Sequence, residues 1–300
     1  MRAPTLRLRG RELTLDSTLV MGVVNASPES FSDAGEFDSF DAQRSLVASL
    51  VEAGADIVDI GGQSAITNQP EIDAQLEVER VLPIIEWVRS TYPDVIVSVD
   101  TYKPPVVEAA LSVGAHIIND VSGLLYPEVA DMCAASGAGL VVMHTKARPK
   151  ERMQSESLYD DVTTEVTEFL SEKMREAEGH GVARESLIVD PGPDFAKTPH
   201  QTLAILRDIE AVRDLRRPLL LALSRKDFLG AITGKTPRGR GPATDAALAH
   251  FAAVPGNIVR VHDVGAAKDV IAVVDALCGR LDIPADYLLP DALRHEPRDG

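Results

Sequence analysis

The chain has 300 residues, of which 45% are apolar and 25% charged, and its formal net charge is −16. A chain of this size can bury one large core, so a single domain is sufficient. The strong negative charge argues against partners that are themselves polyanions, such as nucleic acid or an acidic membrane surface. An anionic substrate would therefore need locally placed cations or a metal ion.

The sequence contains neither a recognisable export signal nor a membrane span. Residues 1–16 alternate charge with leucine and lack the apolar core of a secretion signal. No apolar run approaches the roughly 20 residues that a membrane span requires. Cys133 and Cys278 lie far apart without metal-ligand spacing, so we expect both to be small buried apolar side chains in a reducing compartment. The sequence thus predicts a cytoplasmic protein.

Eight short runs of β-branched and aliphatic residues recur along the chain, and most end in a polar residue. Buried parallel strands give continuous apolar runs of this kind, because helices cover their outer faces. The sequence therefore predicts an α/β protein, a (β/α)8 TIM barrel. The predicted strands are Leu19–Asn25, Ala55–Gly61, Val95–Asp100, His116–Asn119, Leu140–His144, Leu187–Asp190, Leu219–Ser224 and Ile258–His262.

Segments with helical patterning separate the predicted strands, and three of them begin near a proline, where the missing N–H is least costly. The predicted helices are Ser39–Glu52, Ile72–Trp87, Pro104–Val113, Pro127–Ser136, Asp160–His180, Pro199–Leu215, Thr244–Val254 and Ala266–Leu281. Arg7–Asp16 is expected to form a short N-terminal hairpin that closes the barrel floor. We expect residues 1–283 to form a single domain and residues 284–300 to be a flexible tail.

Three polar residues at the first and last strands are candidates for an anion site. In such barrels the chemistry usually lies at the carboxyl ends of the strands. Closure of the barrel places Arg260 and His262 near Asn25, and residues two apart on a strand share a face. Because arginine matches phosphate geometry bidentately, the three residues predict a phosphate site. The alternative is a buried Arg260–Asp263 pair with a core histidine.

A second group of polar residues suits a flat heterocycle. Asp100, Asn119 and Asp190 end three strands, and Lys226 follows another. A buried carboxylate beside an amide can accept from ring N–H groups and donate to a ring carbonyl, which describes a guanine or a pterin. The alternative is local: aspartates and asparagines at strand ends often cap the next helix, and Lys226 would then be a solvated charge.

Six motifs appear in the order typical of one family. The chain resembles the dihydropteroate synthases from about residue 5 to residue 281, and taken together the motifs are highly specific. They are Met21–Asp33, Ser98–Thr101, Ile117–Gly123, Asp190–Gly192, Ser224–Lys226 and Arg260–Val264. The resemblance implies condensation of 6-hydroxymethyl-7,8-dihydropterin diphosphate with p-aminobenzoate, releasing diphosphate and 7,8-dihydropteroate. It also suggests a homodimer formed through the last helices.

The resemblance assigns roles to the candidate residues. Asn25, Arg260 and His262 would hold the diphosphate with Mg²⁺, and Asn25 would ligate the metal. The loop after the first barrel strand, with Phe31 and Asp33, would close over the second substrate, and Asp33 would stabilise positive charge on the pterin methylene. No covalent nucleophile is required. The residues assigned to the pterin and the rest of the substrate pocket are Asp100, Asn119, Met143, Asp190, Phe195, Ser224 and Lys226.

The chain departs from the family pattern at residues that the family associates with the second substrate. Where the family has Gly-Glu-Ser-Thr-Arg-Pro, this chain has Gly62–Thr67, so Ala65 and Ile66 replace the threonine and arginine associated with p-aminobenzoate and sulfonamides. Pro193–Phe195 replaces a glycine-containing turn, and Lys146–Arg148 replaces a Gly-Thr. Lys146 or Arg148 would either supply the displaced cation or remain solvated loop charges.

Three interpretations follow. The first is a working dihydropteroate synthase with an altered second-substrate pocket. The second is a pterin-binding paralogue with weak or lost condensation. The third is a methyltetrahydrofolate-type methyltransferase on the same barrel, which would leave Arg260, His262 and the Asn25 loop without a role.

Overall fold

Eight parallel strands close into a barrel in the computed structural model, which describes residues 3–26, 39–63 and 70–295. A two-stranded antiparallel hairpin precedes the barrel. The last strand pairs with the first, as the sequence predicts, with Arg260 opposite Met21. The strands are β1 Thr5–Leu8, β2 Arg11–Thr14, β3 Leu19–Asn25, β4 Ile57–Gly61, β5 Ile96–Asp100, β6 Ile117–Asp120, β7 Gly139–Met143, β8 Leu187–Asp190, β9 Leu219–Leu221 and β10 Asn257–Val261.

Helices surround the barrel and pack on the outward faces of its strands. Among the described residues, no helix is both long and apolar enough to cross a membrane. The helices are α1 Ser39–Glu52, α2 Ala74–Thr91, α3 Pro104–Ser112, α4 Glu128–Ser136, α5 Val162–Gly179, α6 Pro199–Arg207, α7 Ile209–Arg213, α8 Asp227–Thr233, α9 Gly241–Ala252 and α10 Val264–Leu277.

Several sequence expectations need correction. The helix expected over Pro199–Leu215 is divided at Asp208, which ends α6 and precedes α7. Helix α8 was not expected, because a seven-residue segment with an internal glycine has too little helical pattern to predict. Cys133 is buried as expected, but Cys278 is exposed, because it follows the last turn of α10.

The interior of the barrel is filled in layers, since every second side chain of a strand points inward. The hairpin closes the floor, where Leu6, Leu8 and Leu15 pack on the lowest layer, and this confirms the expected hairpin. The lowest layer contains Met21, Ile57, Ile96, Ile117, Val141, Ile188, Leu220 and Ile258. We call the next inward-facing position of each strand, two residues further along or just beyond its end, the middle layer; the strands are staggered, so its members do not all lie at one height. They are Val23, Asp59, Ser98, Asn119, Met143, Asp190, Ala222 and Arg260.

The layer at the barrel mouth lies partly beyond the strands. Strand β9 ends at Leu221 and β10 at Val261, so Ser224 and His262 lie in the loops that follow, not on strands as expected. Lys226 follows the strand, as expected, and immediately precedes α8. The expected tail is described as far as His295, and most of its side chains are exposed. Its flexibility remains a prediction.

Candidate active site

A cavity of about 630 Å³ opens at the carboxyl ends of the strands. This volume lies within the range of small-molecule sites. Five of the residues proposed from the sequence line it: Asp100, Phe195, Ser224, Lys226 and His262. The site therefore lies at the end of the barrel where polar strand ends had predicted it.

The other candidates lie around or below this cavity. Asn119, Met143 and Asp190 belong to the buried middle layer beneath it. Asn25 is exposed at the end of β3. Four residues lie outside the described part of the chain: Phe31, Asp33, Ala65 and Ile66. The roles expected for those four residues remain sequence-based predictions.

Arg260 is held by two carboxylates inside the barrel. Its Nε donates to Asp59 Oδ2 at 2.6 Å, and its Nη2 donates to Asp100 Oδ2 at 2.9 Å. Asp263, the alternative partner, instead caps α10 by accepting from Ala266 N–H. The guanidinium thus has two acidic partners, and its use for a diphosphate remains a prediction.

Asp59 is fully buried in the middle layer and accepts hydrogen bonds from three of its side chains. Besides Arg260, it accepts hydrogen bonds from Ser98 Oγ at 2.6 Å and Asn119 Nδ2 at 3.1 Å. With its amide nitrogen held in this way, Asn119 leaves its buried Oδ1 without a hydrogen-bond partner among the described residues. Buried polar atoms rarely stay unpaired, so this oxygen is suited to accept from a ligand N–H.

Two carboxyl groups of the site titrate near neutral pH. Burial raises the pKa of Asp100 to about 7, although Arg260 opposes the shift. Burial also raises the pKa of Asp190 to about 6, opposed by the Gly192 N–H, which donates to Asp190 Oδ1 at 2.7 Å, and by Lys226. Both groups can therefore change charge within the physiological range.

Lys226 lies between a carbonyl and an aromatic ring. Its Nζ donates to Pro193 O at 3.0 Å and lies 4.3 Å from the centre of the Phe195 ring. Burial lowers the pKa of Lys226, and the carboxylates of Asp194 and Asp190 oppose this effect. The ammonium is thus a cationic donor at the cavity wall.

His262 is expected to be neutral at pH 7. Burial lowers its pKa to about 4, assisted by Arg225, Arg260 and Lys226. Its Nδ1 lies 2.9 Å from Ser224 Oγ. A neutral imidazole offers a ligand one hydrogen bond and no full positive charge.

The loop after β8 is fixed from below by a lysine that the sequence analysis did not single out. Lys197 is 0% exposed, and its Nζ bonds to His144 Nδ1 at 2.8 Å and to the carbonyls of Gly192 and Phe195. A Cβ on Gly192 would lie 2.1 Å from His144 O, so only glycine fits there. This packing fixes the backbone of Phe195 at the cavity wall.

The described residues on either side of segment 64–69 are joined by hydrogen bonds. Gln63 Oε1 accepts from Ile72 N–H at 2.8 Å, and Gln63 Nε2 donates to Tyr102 Oη at 3.3 Å. Lys103 Nζ donates to Ile72 O at 2.5 Å and pairs with the buried Glu77 at 2.9 Å. The ends of the rewritten loop are therefore anchored to α2 and to the segment after β5.

Lys146 and Arg148 differ in their surroundings. Lys146 donates to Leu158 O, pairs with Glu165 and lies over the Tyr159 ring. Arg148 lines the cavity, and within the described ranges its guanidinium makes no hydrogen bond or ion pair. Of the two cations, only Arg148 is placed to meet a ligand in the cavity.

Sequence analysis assigned no role to four residues of this region: Asp59, Asp194, Lys197 and Arg225. Asp59 had a usable signal, because a carboxylate inside an apolar strand run must be paired. Asp194 and Lys197 had no such signal, since an acidic or basic residue in a loop is usually solvated.

The chain matches known proteins over most of its length. The sequence profile of the family described as pterin binding enzyme matches residues 21–262. Dihydropteroate synthase of Synechocystis is 38% identical over 262 residues, which are 87% of this chain and 90% of that protein. A Mycobacterium tuberculosis protein named inactive dihydropteroate synthase 2 is 37% identical over 276 residues, 91% of this chain and 86% of that protein.

Solved structures agree with the sequence matches. Xanthomonas albilineans dihydropteroate synthase with 4-aminobenzoic acid is 36% identical and superposes with a TM-score of 0.84, covering 92% of this chain and 98% of that chain. A family match over residues 21–262, together with identities above 30% across most of both chains, leaves one assignment. The chain belongs to the pterin-binding enzymes, in the dihydropteroate synthase family.

Proposed function

We propose that the protein binds 6-hydroxymethyl-7,8-dihydropterin diphosphate at the barrel mouth and condenses it with p-aminobenzoate to 7,8-dihydropteroate. The observation that carries this proposal is the set of complementary groups around one cavity. Asp100 and Lys226 line the cavity and offer an acceptor and a donor. Asp190 and Asn119 are buried beneath it and offer further acceptors, and Asn119 Oδ1 lacks a partner among the described residues. This combination suits the amino-amide edge of a pterin.

In the proposed reaction, the bond between the pterin methylene and the diphosphate oxygen breaks, and its electron pair leaves with the diphosphate. The amine nitrogen of p-aminobenzoate then forms the new C–N bond and loses a proton to solvent. This chain's residues bind and orient the ring through Asp190 and Lys226. Arg225 and the neutral His262 line the same cavity and would face the departing diphosphate.

Asn25 is the residue proposed to ligate Mg²⁺. Its amide oxygen is a hard ligand of the type that Mg²⁺ accepts, and Mg²⁺ commonly takes its remaining ligands from substrate phosphates and water. Within residues 3–26, 39–63 and 70–295, no group of three His, Cys, Asp or Glu side chains is placed to hold a metal without substrate. An ion held by Asn25 and the diphosphate would neutralise part of the diphosphate charge.

The decisive experiment measures diphosphate release with and without p-aminobenzoate, alongside calorimetric binding of the pterin substrate. Release that depends on p-aminobenzoate and Mg²⁺ supports the proposed enzyme. Binding without release supports a paralogue that keeps the pterin but has lost condensation. Absence of pterin binding contradicts both.

The paralogue is retained as a second candidate because of the rewritten loop. Ala65 and Ile66 replace residues that the family associates with p-aminobenzoate. Relatives named inactive dihydropteroate synthase 2 are also about as similar to this chain as those named dihydropteroate synthase. The two candidates share the pterin site and differ only in turnover.

Ala65→Thr combined with Ile66→Arg is expected to improve use of p-aminobenzoate by about tenfold or more, the scale of one charge-assisted hydrogen bond. An aliphatic side chain cannot pair with the carboxylate of this substrate. Steady-state kinetics should show a raised Michaelis constant for p-aminobenzoate in the wild type and a lower one in the double variant. Sulfonamide affinity should rise in parallel.

A low-micromolar Michaelis constant in the wild type, with no gain in the double variant, would mean that another residue holds the carboxylate. Arg148→Ala should then raise the constant, because Arg148 lines the cavity. Lys146→Ala is the matched control, since that ammonium is already paired with Glu165.

We propose that the enzyme is a cytoplasmic homodimer that buries the outer face of α10. Val273 and Leu277 are 59% and 84% exposed there, and Leu281 and Ile283 continue the apolar surface. Light scattering should give twice the chain mass for the wild type and the chain mass for Leu277→Asp. A monomeric wild type at micromolar concentration would contradict this arrangement.

A further inference from the structure

The carboxylate of Asp194 joins the loop after β8 to two helices. Its Oδ2 accepts from the backbone N–H groups of Asp227 and Phe228, at 2.6 and 3.3 Å. Its Oδ1 accepts from the Thr202 hydroxyl of α6 at 3.0 Å, and that hydroxyl accepts from the Asp194 N–H. One side chain therefore fixes the start of α8 relative to α6 and to its own loop.

Asp194 occupies a backbone conformation that favours glycine. Its φ is +62°, in the left-handed region. Aspartate tolerates this region better than most residues, but glycine would adopt it without strain. The strain at this position is offset by the three hydrogen bonds that glycine cannot make.

The segment that Asp194 fixes carries the partners of Lys226. Pro193 O accepts from Lys226 Nζ, and the Phe195 ring lies against the same ammonium. Lys226 immediately precedes α8, whose first two N–H groups bind Asp194. The Asp194 carboxylate therefore links the segment that carries the ammonium to the segment that carries its two partners.

We propose that Asp194 is a positioning residue that holds the Lys226 ammonium where it can donate a hydrogen bond to a carbonyl group of the bound heterocycle. The role deepens the proposed function and rests on it for the identity of that ligand. Asp194 itself is tied to backbone and hydroxyl groups, so it acts through Lys226.

Charge supports the same role. Three carboxylates face Lys226: Asp190 on β8, Asp194 in the loop after it and Asp227 at the start of α8. The cations that face it are Arg260, Lys197 and, when protonated, His262. Burial lowers the pKa of Lys226, and Asp194 is the largest opposing influence. Removing its charge should therefore lower that pKa further, so that the ammonium deprotonates at a lower pH.

The test uses Asp194→Asn, which keeps an acceptor and tolerates the backbone, and Asp194→Gly, which removes all three contacts. Asp161→Asn is the matched control, because Asp161 caps α5 through two backbone N–H groups and does not line the cavity. The pH dependence of Lys226 acylation, read by peptide mass spectrometry, reports its pKa without any pterin. Calorimetry with 6-hydroxymethyl-7,8-dihydropterin reports ligand affinity.

We expect the Lys226 profile to move to lower pH in both Asp194 variants, and Asp194→Gly to weaken the pterin by about tenfold. Lys226→Met should approach the same affinity, while Asp161→Asn should match the wild type in both measurements. An unchanged Lys226 profile with unchanged affinity in both Asp194 variants would overturn the inference. If the wild type binds no pterin, the proposed function fails, but the acylation profile still decides whether Asp194 controls Lys226.

Discussion

Asp59→Ala is expected to lower the free energy of unfolding by about 3–5 kcal/mol, the scale for breaking a buried ion pair by removing one partner. The substitution would leave Arg260 with Asp100 alone, and it would remove the acceptor for Ser98 and Asn119. Urea unfolding followed by circular dichroism measures the loss. Asp59→Asn, which keeps the size and one acceptor oxygen, should lose less.

Glu12→Ala is the matched control for Asp59→Ala. Its pair with Arg7 spans 3.8 Å with both side chains exposed, so removing it should change stability by less than about 1 kcal/mol. Equal losses in Glu12→Ala and Asp59→Ala would show that the interior network contributes no more than a surface pair.

Asp190→Asn is expected to weaken pterin binding by about ten- to a hundredfold. The substitution keeps the size but replaces an acceptor-only carboxylate with an amide that also donates, and a lost charged hydrogen bond is worth about 1.5–3 kcal/mol. Calorimetry with the pterin substrate measures the change. Unchanged affinity would remove Asp190 from the site.

The pH dependence of binding offers a second check on Asp190. Its pKa in the fold is raised to about 6, so the carboxylate is present above that pH and becomes protonated as the pH falls below it. Wild-type affinity should therefore decline as pH falls through about 6. In Asp190→Asn this part of the profile should vanish, whereas a component near pH 7 from Asp100 should remain.

The barrel itself was readable from the sequence because its strands are buried on both faces. Each of the eight predicted strands overlaps an observed one, and Leu19–Asn25 and Leu187–Asp190 match it residue for residue. The order of closure followed from the fold class, which placed Arg260 near β3. Periodicity therefore sufficed for the frame of the site.

The pairing inside the site was not readable in the same way. Arg260 was expected to face an anion, whereas its partners Asp59 and Asp100 lie on β4 and β5. Predicting these two ion pairs would require the register of β10, β3, β4 and β5. A shift of β4 by one residue would turn Asp59 outward. The link from Asp194 to α8 depends on a left-handed backbone turn, which sequence pattern does not specify.

The ion pair between Arg260 and Asp59 joins residues 201 positions apart in the chain. During synthesis, β4 and β5 are complete long before β10 leaves the ribosome, so Asp59 and Asp100 lack their cation until β10 has been made. Contacts of such long range carry a large loop-closure entropy and form late in folding. A chain stopped before β10 would hold an open sheet in which Asp59 keeps Ser98 and Asn119 as donors but lacks its cation, so the arrival of the final strand both closes the barrel and completes this ion pair.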